Sequence, residues 1–259
     1  MSDSIRVEDA GLVRTITFDR AEKRNSFDEP MLAEIHDAVV DAGAREELRV
    51  VVLAGDERAF STGADLKEYA AFDALGARAS NTRSWMRTLG AIEALEKPVI
   101  AAVRGAAVAG GTETLLACDL VVAAEDAMLG LAEMRVGVIP GAGAVNRLTR
   151  WVGRAVAKEI LMTGDPISGV EAHRIGLVNR VVPAERVLDE ARELAELLAS
   201  RSPLALAAVK RAVNVGGEMT LDQGMAYTLQ EFALLFASHD QEEGMTAFLE
   251  KRAPRFLGT

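Results

Sequence analysis

Two glutamates stand out because little around them suits a charge. Glu113 lies in "RGAAVAGGTETLLACDLVVAA", residues 104 to 124, a run dominated by small and aliphatic residues. Twenty positions on, Glu133 in "LGLAEMRVGVIPGAGAV" is the only acid between Asp126 and Glu159. An unpaired carboxylate in an apolar setting is costly, and its pKa rises until it holds a proton near neutrality. Two such acids make a candidate acid/base pair, one taking a proton and the other delivering one. The plainer reading of Glu113 alone is a first-turn acid, placed where free N–H groups and the helix dipole favour negative charge.

Backbone donors lie near these acids in the sequence. "AFSTGADLKEY" (59 to 69) reads as a strand exit, a glycine and a helix start, which turns free N–H groups toward a ligand oxygen. "AGGTET" repeats that arrangement beside Glu113. Two N–H groups converging on one carbonyl oxygen would make an oxyanion hole, and adjacent acids could then move protons at the neighbouring carbons. Either segment alone fits an ordinary glycine turn; their combination points to chemistry.

Other chemistries find less support. No glycine-rich loop ends in Gly-Lys-Ser/Thr, so a P-loop is unsupported. "GAGAVN" (141 to 146) begins like a dinucleotide fingerprint, but its sixth position is Asn146 and Pro140 precedes it. His36, His173 and His239 are scattered without ligand spacing, and Ser61 lacks the flanking glycines of a hydrolase elbow. The net charge of -10 argues against a nucleic-acid surface. A single cysteine, Cys118, excludes an internal disulfide and a cysteine-based zinc cluster, and its apolar surroundings suit the core. "MSDSIRVEDAG" carries no apolar signal region and no 18-residue apolar stretch follows, so no membrane partner and a cytoplasmic location are the expectation.

The elements that must position these residues follow from the pattern. "VRTITFDR" alternates as a half-exposed strand does, and a helix follows from Asp28, with Pro30 in its first turn. The aliphatic runs 49 to 55, 98 to 105 and 119 to 125 read as buried strands separated by helices, one of them the short helix carrying Glu113. That alternation predicts an α/β chain with parallel pairing. After Gly164 one helix and one strand follow, and from Ala184 helical periodicity dominates. Three or four such helices in series either cap the core or pack on a second subunit.

The stretches "RNSFDEPMLAEI", "AFSTGADLKEY", "KPVIAAVRGAAVAGGTETLLACDLVVAAEDAMLGLAEMRVGVIPGAGAVNRLTRWVG", "TGDPISGVEAHRIGLVNRVVP" and "EGMTAFLEKRAPRF" together resemble the crotonase (enoyl-CoA hydratase/isomerase) superfamily over nearly the whole chain. The resemblance implies an α/β fold of the ClpP/crotonase type. A ββα spiral core would span 1 to 197, and a helical trimerisation region 198 to 259. It also implies a homotrimer or dimer of trimers and an acyl-CoA thioester ligand, with no metal or redox cofactor. By position, Ala64 and Gly110 correspond to the oxyanion-hole N–H donors, and Glu113 and Glu133 to the two catalytic glutamates of the hydratases. The family's isomerases resemble hydratases only at the second glutamate. The implied activity is therefore a hydratase: reversible syn addition of water to a trans-2-enoyl-CoA, giving 3-hydroxyacyl-CoA. An isomerase, a hydratase of a specialised catabolic acyl-CoA, and a non-catalytic acyl-CoA-binding subunit are the alternatives.

Further positions follow from the same resemblance. Arg24, Ser26, Ala64, Asp65, Leu66, Lys67 and Gly110 would border the CoA moiety, with Phe248 and Lys251 matching a segment that reaches a neighbouring subunit's CoA. Trp85, Met86 and Leu89 are candidates for the acyl pocket. The chain departs from the hydratase pattern at Ala109, where the first of three glycines is common, at Thr112, where cysteine is frequent, and at Asp28. Ala109 adds a methyl beside the expected oxyanion hole and leaves both donors in place.

Overall fold

The computed structural model describes residues 4–259; Met1–Asp3, the start of the N-terminal segment, lie outside the described residues. The first half of the chain forms β1 (Ile5–Ala10), β2 (Val13–Phe18), α1 (Glu29–Ala44), β3 (Val50–Ala54), β4 (Ala59–Ser61), α2 (Leu66–Tyr69), α3 (Ala74–Ser80), α4 (Met86–Ala94), β5 (Val99–Val103), β6 (Ala106–Val108) and α5 (Gly110–Leu115). The second half adds β7 (Leu120–Ala124), β8 (Met128–Gly130), α6 (Ala144–Thr163), β9 (Ile167–Ser168), α7 (Gly169–Arg174), β10 (Arg180–Val182), α8 (Val187–Ala199), α9 (Pro203–Asn214), α10 (Leu221–Leu235) and α11 (His239–Glu250).

The aliphatic runs expected to be buried strands are β3, β5 and β7, which stack in parallel within a six-stranded sheet of order β1-β2-β3-β5-β7-β10. Every residue of β3 and β5 is buried, the signature of a sheet covered on both faces. Asp28 caps α1 as its type and place demand, its side chain accepting from the Met31 N–H at 3.0 Å. The sequence pattern did not disclose a second sheet, β4-β6-β8-β9, whose strands are two or three residues long. Such segments are too short to show period-two alternation. Each of β3, β5 and β7 is followed by a short strand in the other sheet and then by helix, as β3-β4-α2, β5-β6-α5 and β7-β8-α6. This ββα repetition brings the exits of β4, β6 and β8 side by side, and those exits carry the candidate site.

Of the helices after Ala184, α8 covers the large sheet, packing on β3, β5 and β7 through Val187, Ala191, Leu194 and Ala195. The later helices leave large apolar side chains in the open, including Leu221, Leu229, Leu234, Phe248 and Leu249. One buried ion pair ties α9 to the core. Lys210 Nζ lies 2.7 Å from Asp119 Oδ2 and also donates to the carbonyls of Ile92 and Lys97, both at 3.2 Å. Asp119 Oδ2 additionally accepts the Val99 N–H at 2.7 Å, so the pair joins the starts of β5 and β7 to α9. Lys210→Ala, which strands this carboxylate, is expected to lower unfolding free energy by about 3 kcal/mol, measurable by urea denaturation.

Candidate active site

The strand exits converge because glycines permit it. At Gly63 the backbone is left-handed (φ 85°), and a Cβ there would lie 2.6 Å from the Gly110 nitrogen and 2.9 Å from the Ala109 methyl. The 62–65 turn is held from its other side by residues 24–27: Thr62 N–H donates to the Arg24 carbonyl, Phe27 N–H to Gly63, and Asp65 N–H to Phe27. Ser61 contributes as a brace, its hydroxyl donating to the Asn25 carbonyl (2.7 Å) and accepting from the Gly63 N–H (3.0 Å). In this ladder Ala64 N–H makes no hydrogen bond among the described residues. Gly110 N–H, the first of α5, is likewise unpaired among them. Both residues with a free N–H, Ala64 and Gly110, border one cavity.

Between β6 and α5 the chain turns at Ala109 with φ 51° and ψ -123°, a conformation that glycine adopts readily and L-residues rarely. Ala109→Gly removes this strain, worth about 1–3 kcal/mol, at the cost of a more flexible unfolded chain, about 0.4–1 kcal/mol. A net stabilisation of about 1 kcal/mol is the expected result in a denaturant titration. Thr112 ties the same corner, donating to the carbonyls of Ala107 (2.6 Å) and Gly130 (2.9 Å), which joins β6, β8 and α5.

Both glutamates line one cavity of about 350 Å³ together with Ala64 and Gly110. Its wall is otherwise mainly apolar, with Leu66, Trp85, Val108, Val136, Val138 and Ile139. Glu113 is 5% exposed. Its Oε1 accepts the N–H groups of Ala142 (2.8 Å) and Ala144 (3.2 Å), which leaves Oε2 toward the cavity. Burial raises the pKa of this carboxyl, opposed by those two donors and by the nearby Arg147 charge. Glu133 sits on a single 3-10 turn, Ala132–Val136, and its buried Oε2 has no hydrogen-bond partner among the described residues. Desolvation pushes its carboxyl up to about 7, opposed by a backbone hydrogen bond and reinforced by the Glu113 charge. The two acids therefore have different environments: one is held by N–H donors that favour its ionised form, while the other is left bare in a setting that favours the proton.

Arg147, which pattern reading passed over, organises the loop behind Glu113. It pairs with Glu93 through two hydrogen bonds (3.2 and 2.8 Å) and donates to the Ala142 carbonyl at 2.9 Å. The "GAGAV" stretch that mimicked a dinucleotide fingerprint is thus the turn that supplies N–H groups to Glu113. Tyr69 and Asn81 also line the cavity without having been expected. A larger cleft of about 670 Å³ between β2 and α8 is lined by Arg58, Arg104, Glu57 and Arg192 among others, and there Arg104 is already paired with Glu57.

The remaining expected positions separate clearly. Trp85 lines the cavity, 3% exposed, whereas Met86 is 56% exposed and turned away, and Leu89 is buried in the core. Between α3 and α4 the helix contains a π-turn, Asn81–Trp85; positions 77, 81 and 85, four apart, share the face that lines the cavity, and Met86 falls about 100° round the helix. Leu66 lines the cavity mouth. Asp65 is engaged with Lys23 (2.8 Å) and caps α2 by accepting from Lys67 N–H (3.1 Å). Lys67 and Arg24 are exposed and do not line the cavity, while Ser26 is buried, its carbonyl accepting from Arg20 at 2.7 Å. Phe248 and Lys251 lie at the end of α11 and do not line the cavity. Among the described residues no group of three or more His, Cys, Asp or Glu is placed to hold a metal ion, and no helix is long and apolar enough to cross a membrane.

A family model described as enoyl-CoA hydratase/isomerase matches residues 8–259. The chain is 40% identical over 248 residues to the 2,3-dehydroadipyl-CoA hydratase of Escherichia coli, covering 95% of each protein. It is 38% identical over 256 residues to the crotonyl-CoA hydratase of Syntrophomonas wolfei, covering 98% of each. The crystal structure of an enoyl-CoA hydratase from Bacillus anthracis superposes with a TM-score of 0.96 at 38% identity, covering 99% of this chain and 100% of that one. With the strand order, the paired free N–H groups and the two cavity carboxylates in place, the chain belongs to the enoyl-CoA hydratase/isomerase family, the crotonase superfamily to which its motifs pointed.

Proposed function

We propose that the cavity carries out hydration of a trans-2-enoyl-CoA, with Glu113 as base and Glu133 as acid. The observation that carries this reading is the sharing of one cavity by two unlike carboxyls and two unpaired N–H groups. The chain is an enoyl-CoA hydratase, a hydro-lyase of CoA thioesters, as its full-length relatives are. In our scheme the thioester oxygen accepts from Ala64 and Gly110 N–H, which draws electron density from Cβ. Glu113 carboxylate takes a proton from water as the water oxygen bonds to Cβ. The C=C electron pair passes to an enolate held by the two donors, and Glu133 gives its proton to Cα. Glu113 ends protonated and Glu133 ionised, and proton exchange with solvent restores the starting pair. Every atom moved comes from substrate, water or these side chains, so no metal or redox cofactor enters the scheme.

An isomerase reading needs only one shuttling acid, and the N–H groups that hold Glu113 toward the cavity favour the hydratase over it. A non-catalytic binder has no use for a bare carboxyl such as Glu133. In our scheme the exposed Arg24 and Lys67 approach the CoA phosphates, with Leu66 at the cavity. The apolar side chains exposed on α10 and α11, with Phe248 82% exposed, support self-association into a trimer or dimer of trimers. The direct test is purified protein with crotonyl-CoA: loss of the conjugated enoyl-thioester absorbance with 3-hydroxybutyryl-CoA as product is expected, and binding without turnover would overturn the assignment. Light scattering reads the oligomeric state, a lone chain contradicting the assembly.

A further inference from the structure

The acyl-facing wall carries one polar group that the hydration scheme does not use. Asn81 opens the π-turn between α3 and α4 and lines the cavity amid Ala77, Trp85, Val138 and Ile139. Its Nδ2 donates to the Ala77 carbonyl at 3.0 Å, which fixes the orientation of the amide. Oδ1 then lies against Gly141, where a Cβ would approach it to 2.9 Å, and it accepts no hydrogen bond among the described residues. Of the other neutral polar side chains of the wall, Thr62 donates to the Arg24 carbonyl at 3.3 Å. Asn81 therefore presents a fixed, spare acceptor to whatever fills the acyl space.

Taking the hydratase reading as its basis, we propose that Asn81 is a specificity-determining residue that favours 2-enoyl-CoA substrates whose acyl group carries a hydrogen-bond donor, a hydroxyl in particular, over plain alkyl chains. A saturated chain packed against Oδ1 strips it of water and returns nothing, whereas a hydroxyl on that chain restores the bond. Sites built around a buried polar partner reject the analogue that lacks it, because the protein group is left unpaired. The amide cannot easily withdraw, since its Nδ2 is bound to the preceding turn and Gly141 closes the other side. A carboxylate on the acyl chain would meet an acceptor with an acceptor and is not favoured.

The test compares kcat/KM for trans-2-hexenoyl-CoA with that for its 5-hydroxy and 6-hydroxy counterparts, in the wild type and in Asn81→Leu. The wild type is expected to prefer at least one hydroxylated substrate by about 10-fold, and Asn81→Leu to bring that ratio to about 1 or below while hydrating hexenoyl-CoA at least as well. A wild-type preference for the plain chain over both hydroxylated ones overturns the proposal. So does an unchanged ratio in Asn81→Leu, or a loss of the same factor on all substrates, which would mark Asn81 as a support for the 141–144 turn. Crotonyl-CoA, run alongside, separates the two levels: its hydration with a failed ratio overturns the role of Asn81 alone. No hydration of any of the four removes the hydratase reading and this proposal with it.

Discussion

Glu113→Gln and Glu133→Gln are each expected to lower kcat for crotonyl-CoA hydration by about 10²–10⁴-fold while leaving binding of a CoA thioester product within a few-fold of wild type. The Glu113→Gln variant keeps a side-chain oxygen for the Ala142 and Ala144 N–H groups, so the loop stays in place and only basicity is lost. The Glu133→Gln variant is neutral and close in shape to the protonated acid, so the change that bears on catalysis is loss of the transferable proton. The double variant should lose little more than either single one, since the two acids act in one cycle. Stopped assays with sensitive product detection read these losses, and retention of a tenth of wild-type kcat in either variant would remove that residue from the scheme.

The pH dependence sets the two variants apart. With its carboxyl pushed up to about 7 by burial, Glu133 holds a transferable proton below that pH and loses it above. Hydration kcat/KM is accordingly expected to fall as pH rises through about 7. An acid whose folded pKa is raised stabilises the fold fully below its unfolded value, and that contribution is lost as pH climbs through the folded one. The thermal midpoint should therefore decline between pH 4.5 and about 7, and Glu133→Gln should decline less over that window. A rate profile flat across neutrality would place the proton donor elsewhere.

Gly110→Ala is the second large effect, expected to cost about 10²–10³-fold in kcat. A Cβ at 110 would lie 2.2 Å from Cη2 of Trp85 and 2.6 Å from Cζ3. Trp85 cannot simply step aside, because its ring packs against Phe27, with centroids 5.6 Å apart. The backbone at 110 must move instead, and the N–H that faces the thioester oxygen in our scheme moves with it. A donor displaced from the developing oxyanion loses most of its worth, since its value depends on position. Trp85→Leu in the same chain makes room for the methyl, so the double variant should recover part of the lost kcat. No recovery would mean that glycine is needed at 110 for a reason other than the ring.

Much of this was legible along the chain. The three aliphatic runs that became β3, β5 and β7 could form buried parallel strands and little else, because each is uniformly apolar, short and ended by turn residues. Glu113 and Glu133 announced themselves by being acids in apolar segments, and burial in the fold raises the pKa of both. Glycine at 63 and glycines at 110 and 111 marked the close approach of two backbones, which no larger residue allows. What was misplaced has a local cause. Met86 and Leu89 were expected beside Trp85 in the cavity, whereas the helix face that lines it is 77, 81 and 85. Nothing in the residue types of "NTRSW" foretells an i to i+5 turn.

The sequence by itself determined which side chains are candidates for the chemistry and which strands form the frame, since cost of burial and period of apolar residues are properties of short segments. Only the tertiary structure decided how the two acids differ. The donors that hold Glu113 come from Ala142 and Ala144, about thirty positions away, and are braced by Arg147 and Glu93. Glu133 stays bare because the same cavity offers it no partner. The base and acid roles we propose rest on the solvent and the hydrogen bonds that each carboxyl loses or keeps on folding, quantities that no local stretch contains.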